Sequence, residues 1–121
     1  MTTSTSIHVF GIPNCTTVKK ARQWLADQGL DYQFHDFKKE APSATDIARW
    51  QQAFGWEKLL NRQGTTWRKL DAADQAAITD AASAAAFLQT QPSAIKRPVV
   101  QWPNGRITIG FAPQDWQALL D

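Results

Sequence analysis

Only one cysteine, Cys15, occurs among 121 residues. A single thiol excludes an intrachain disulfide, argues against a secreted disulfide scaffold and points to a reducing, cytoplasmic setting. Long hydrophobic runs are missing too: nothing approaches the ~20 apolar residues that cross a bilayer, so no membrane partner is expected. Residues 1–6 are Thr/Ser-rich, with no basic residue and no hydrophobic stretch behind them, and read as a flexible N-terminal tail and not a signal peptide. Charge of one sign is scarce. Thirteen Lys and Arg against eleven Asp and Glu give a net charge of +2, and the cations are scattered, which excludes the basic footprint of a nucleic-acid binder. The two histidines, His8 and His35, lie on separate predicted strands and with one cysteine make no zinc-ligand spacing, so both read as structural and no metal is expected.

What remains is enough for one domain with a working core. Residues 7–10 form a short β-leaning run punctuated by Gly11 and Pro13. Val18, Ala21, Trp24 and Leu25 then recur at helical spacing until Gly29 supplies a stop. Tyr32, Phe34 and Asp36 alternate with Gln33, His35 and Phe37 as a second strand, and a strand–helix–strand crossover makes the two strands parallel. Ser43 opens a helical pattern carried by Ile47, Trp50 and Phe54. Further helical pieces are predicted at 56–60, 74–78 and 79–89, the last rich in alanine. The end returns to strands: 99–102 and 107–109 flank Pro103-Asn104-Gly105 as a hairpin, and Pro113 opens a last helix with Trp116, Leu119 and Leu120 on one face. The six tryptophans are spaced as core residues and not as a base-stacking platform.

Cys15 falls where the first strand gives way to the first helix. A helix N-terminus offers unpaired N–H groups and the positive end of the macrodipole, and both favour a thiolate. Lys19, four residues on, adds positive potential one turn away. A free cysteine is often a small buried hydrophobe instead. The flanking polar residues Asn14 and Thr16, placed at a turn, favour the reactive reading.

The run NCTTVKKARQWL, the block LLNRQGTTWRKLD, the segment ITDAASAAAFL and the pair Arg97-Pro98 before a strand resemble, in that order, the arsenate reductase-related (ArsC/Spx) family, and most of all its YffB-like branch of proposed glutathione-dependent thiol reductases. The resemblance covers nearly the whole chain from Ile7 onward. It implies an α/β, thioredoxin-like fold: β-α-β, then β-β-α, a mixed sheet in a single domain over residues 7–121, with a helical insertion at about 43–91. It implies Cys15 as nucleophile and a cis Arg97-Pro98 bond beside the sulfur; together with Asn14, Thr16 and Lys19 from the local sequence and Arg62 beside the first arginine position, Arg97 and Pro98 make up the expected binding residues. No cofactor is expected to be bound; glutathione, or another thiol-bearing reductant, is implied as co-substrate for a small oxidised substrate.

Two departures sharpen that expectation. A two-cysteine oxidoreductase carries a resolving thiol three residues after the first, where this chain has Val18. The mixed disulfide at Cys15 must then be cleaved by an external thiol. Arsenate reductases of the family are expected to hold their oxyanion with three arginines. Here Arg97 matches one, Asn61 stands at the first with Arg62 beside it, and the last falls near Gly110, so arsenate is expected to be a poor substrate. The 61–69 block can also be plain structure, with Trp67 in the core and Arg68 and Lys69 in solvent. Spx-type members act as transcriptional regulators on RNA polymerase, which makes that enzyme the alternative partner. Their redox switch is typically a Cys-x-x-Cys pair, absent here.

Overall fold

In a computed structural model the described residues are 6–120. All of the expected tail at 1–6 except Ser6 lies outside them. Contacts cluster into two compact units, Met1–Asp36 with Arg97–Asp121, and Phe37–Lys96.

The first unit carries the sheet. Strands β1 (Ile7–Gly11), β2 (Tyr32–Asp36), β3 (Val99–Gln101) and β4 (Ile107–Ile109) lie in the order β2-β1-β3-β4. As expected, β1 and β2 are parallel, with Val9 opposite Phe34, while β1–β3 and β3–β4 are antiparallel. Helix α1 (Thr16–Asp27) makes the crossover and Leu25, Ala21 and Val18 form its buried stripe. Side chains on a strand alternate between faces, so Ile7, Val9 and Val100 turn one way. They meet Ala21, Leu25, Trp102 and Trp116, the last from the closing C-terminal helix at Pro113–Leu120. Trp116, 1 % exposed, is the hub: Trp24, Trp102 and Phe111 meet it edge-on, with ring centroids at 5.6, 5.1 and 5.1 Å. This parallel–antiparallel sheet with its helices is the thioredoxin-like arrangement that the element order implied.

The second unit is helical. Helix α2 (Ala44–Phe54) begins at Ser43, whose Oγ accepts the Asp46 N–H at 3.0 Å, and stops at Gly55 with φ 86. It is followed by α3 (Trp56–Leu59), α4 (Thr65–Arg68), α5 (Ala72–Ala76) and α6 (Ala81–Thr90), which makes the C-terminal helix α7. A 3-10 turn at Pro92–Ala94 closes the unit. Asp80 caps α6 by accepting the Ser83 N–H, and Ser83 Oγ accepts the Asp80 N–H in return. Thr79 and Asp80 therefore precede the helix that the sequence extended over them. Asp71 likewise caps α5, which places that helix two residues earlier than predicted. Helix α4 and the 3-10 turn were not anticipated: each is about one turn long, too short for a periodic pattern to register.

Candidate functional site: a thiol at a helix mouth

Gly11 ends β1, and the chain turns through Ile12, Pro13 and Asn14 to Cys15, the N-cap of α1. Cys15 is extended at φ −96 and ψ 127, so its side chain lies over the first turn of the helix. Its thiol is half-buried and makes no full capping hydrogen bond. Burial pushes the Cys15 pKa up. This is outweighed by the Val18 N–H, by a hydrogen bond from the Arg97 side chain, by the Arg97 charge and by the Thr17 N–H, which together hold the thiol below its ordinary value. The helix mouth thus acts through two identified amides. Lys19, exposed on the next turn, is not among the groups that lower the thiol.

Arg97 reaches the sulfur from the segment before β3. The Arg97–Pro98 bond is cis, as the resemblance implied, and Pro98 is buried. The Pro98 carbonyl accepts the Gly110 N–H at 2.9 Å, which ties this loop to the end of β4. Gly110 has φ 80, a region that other residues enter only under strain. The position where a third arginine was sought therefore has a backbone role.

Asn14 and Thr16 are exposed on either side of the cysteine. Arg62 belongs to the second unit, where its guanidinium carbon lies 5.6 Å from the Trp56 ring centroid and 5.7 Å from that of Trp67. Asn61 Oδ1 accepts the Gln63 N–H at 3.0 Å and shapes the turn into α4. Trp67 is half-buried and edge-on to Phe87, with Arg68 and Lys69 exposed.

Two features escaped the sequence reading. His8 and His35, treated separately, meet: Nδ1 of His8 lies 2.8 Å from Nε2 of His35. The parallel register sets Phe10 opposite His35 and so brings His8 and His35 onto one face of the sheet. Among the described residues no group of three metal-ligating side chains forms. The second is Arg22, whose Nε donates to Tyr32 Oη at 3.0 Å while its guanidinium lies 4.1 Å from the Phe34 centroid.

The ArsC family model matches residues 10–119. The chain belongs to the ArsC family. It is similar to the solved structure of the YFFB (PA3664) protein, 43 % identical with a TM-score of 0.89, over 95 % of this chain and 99 % of that one. An arsenate reductase (ArsC) related protein from Brucella melitensis is 46 % identical with a TM-score of 0.73, covering 98 % of this chain and 97 % of its own. The global transcriptional regulator Spx of Streptococcus pyogenes serotype M3 is 28 % identical over 94 % of this chain and 84 % of its own length. At the level of the family the chain is an arsenate reductase-related thiol protein. No helix among the described residues is long and apolar enough to cross a membrane.

Proposed function

We propose that the protein is a cytoplasmic, glutathione-dependent monothiol reductase with Cys15 as its nucleophile. The observation that carries this reading is a thiol held below its ordinary pKa by Arg97 and two helix amides, with Val18 where a resolving thiol would stand. The Cys15 thiolate attacks the glutathione-linked sulfur of a mixed disulfide and releases the substrate as a thiolate, which takes a proton from water. Cys15 then carries glutathione through a new S–S bond. A second glutathione thiolate attacks that bond, leaves as glutathione disulfide and regenerates the Cys15 thiolate. In this reading Arg97 offsets the negative charge on the sulfurs, and Pro98 presents backbone beside them. Asn14, Thr16 and Lys19 extend the binding surface.

Intact mass spectrometry after exposure to oxidised glutathione tests the first step. One glutathione per chain is expected, and none in Cys15→Ser. An unmodified wild-type protein would overturn the reading. The Spx relative supports a second reading, contact with RNA polymerase. Retention of RNA polymerase on the immobilised protein, against a Cys15→Ser control, decides whether that contact exists and whether it depends on the thiol.

A further inference from the structure

Helix α1 carries a second chemical feature. Lys19, Arg22 and Ala26 follow at i, i+3 and i+7, so they share one stripe of the helix, with Cys15 as the extended cap at its N-terminal end. The Lys19 N–H donates to the Cys15 carbonyl at 2.9 Å, which places Lys19 one turn below the cysteine, with Arg22 on the turn after it. Below the thiol this stripe borders an open cleft of about 410 Å³, lined by Lys19, Arg22, Gln23, Ala26 and Tyr32. Two cations and no carboxylate line it. The nearest acid on the helix, Asp27, accepts Gln23 Nε2 at 2.8 Å and is not among the lining residues.

Arg22 is oriented rather than free-swinging. Its Nε is committed to Tyr32 Oη, and the face of its guanidinium lies on Phe34. Stacked in this way, the planar group loses little further freedom when its terminal nitrogens take a carboxylate in bidentate fashion. At ~1.5 Å per residue the Arg22 backbone lies about 10 Å along the helix from Cys15. Measured from its middle residue, each arm of an extended tripeptide spans only about half that length, ~5 Å at ~3.3–3.6 Å per residue, and the long Lys19 and Arg22 side chains have to cover the remainder. Glutathione has a carboxylate at each end and its sulfur in the middle. A molecule attached through sulfur at Cys15 therefore brings a carboxylate within reach of Lys19 and Arg22.

The geometry points to the Lys19–Arg22–Tyr32 cleft as the carboxylate subsite that makes Cys15 selective for glutathione disulfides over uncharged ones. This inference rests on the reading of Cys15 as a glutathione-reactive nucleophile. The exchange itself is Cys15–S⁻ with glutathione disulfide, giving Cys15–S–S–glutathione and a glutathione thiolate.

The test compares second-order rate constants of Cys15 modification by oxidised glutathione and by bis(2-hydroxyethyl) disulfide, which has no carboxylate, using the full chain at low and high salt. The ratio of the two rates is the readout, so a general change in thiol reactivity cancels. In wild type the ratio should favour glutathione disulfide and fall as salt rises, because an exposed charge pair is screened. Arg22→Gln should lower the low-salt ratio about threefold or more, and Arg22→Lys should lose less. Lys19→Gln, at an exposed position where folding is not at issue, should lower it in the same direction. A wild-type ratio kept in Arg22→Gln and in Lys19→Gln would overturn the subsite and leave Cys15 as nucleophile. If Cys15 reacts with the uncharged disulfide but not with glutathione disulfide, both readings fall.

Discussion

Gly11 is the position at which the fold and the proposed chemistry are most directly coupled. It ends β1 facing α1, and a Cβ placed there would lie 2.8 Å from Val18 Cγ2, with Cγ1 at 3.6 Å. Ordinary contact begins at 3.4 Å, so Gly11→Ala requires a displacement of about 0.6 Å, the step from 2.8 to 3.4 Å. Val18 is 0 % exposed and β-branched, and in a helix such a side chain has essentially one rotamer. It cannot swing aside, so the first turn of α1 must move. Overpacking of this kind costs about 1–3 kcal/mol. The alanine restricts the unfolded chain and returns roughly 0.4–1 kcal/mol, leaving a net loss of roughly 0–2.6 kcal/mol.

The same displacement moves the Val18 N–H, the largest of the influences that hold the Cys15 thiol down. Gly11→Ala should therefore raise the pH midpoint of Cys15 alkylation as well as lower the urea midpoint. Val18→Ala removes the clashing methyls. In that background Gly11→Ala should cost nothing or stabilise, a coupling of about 1 kcal/mol or more in the double-mutant cycle. Equal cost of Gly11→Ala in both backgrounds, or an unmoved alkylation midpoint, would refute the argument that Val18 transmits the strain.

Arg97→Gln removes the donor and the charge together and should raise the Cys15 alkylation midpoint toward the ordinary thiol value; an unmoved midpoint would deny Arg97 its role at the sulfur. Because the native thiol sits below its unfolded value, wild type should gain stability over Cys15→Ser as pH rises toward that unfolded value and lose the advantage as pH falls through the native one, a trend that denaturant titrations across alkaline pH would record. Trp116→Ala should cost about 3–5 kcal/mol by urea unfolding, since the buried ring underlies Trp24, Trp102 and Phe111; a loss under about 1 kcal/mol would mean the site collapses around the gap. Arsenate should be turned over weakly in a glutathione-coupled assay, and rapid turnover would show that the arginines present suffice.

The sheet and the long helices were legible because their signals are local. Val18, Ala21 and Leu25 state a helix face by spacing alone, and Gly11, Gly55 and Pro113 punctuate where the elements change. Cys15 was legible for the same reason, since strand, turn and helix mouth are contiguous in sequence. Arg97 was not legible from spacing: it lies far along the chain and reached the sulfur only by way of the family resemblance. The His8–His35 contact depends on strand register, which one sequence does not state, and the Arg22–Phe34 stack depends on how α1 lies on β2. Lys19 shows the limit of arguing charge from distance along a helix. It stands one turn from Cys15, yet the sulfur is held by two amides and by an arginine from another strand's approach.

Val18 and Gly110 together bear on which chemistry this site can perform. A resolving thiol at Val18 would let one chain break its own mixed disulfide. Instead the position supplies an N–H to the sulfur and a buried side chain that closes against Gly11. On the proposed reading, a disulfide formed at Cys15 would persist until a second molecule arrives, and turnover would depend on the concentration and charge of an external thiol. An oxyanion reductase needs several guanidinium groups converging on one tetrahedral anion. At Gly110 the positive φ disfavours any side chain, and its N–H already holds the Pro98 carbonyl beside the sulfur. A Cβ at Gly110 would meet open space, so it is the backbone conformation and not crowding that disfavours a further arginine there. The Arg97 side chain and two helix amides at the thiol fit the proposed attack on a disulfide sulfur, in which charge would pass from one sulfur to the next and no oxyanion would have to be enclosed.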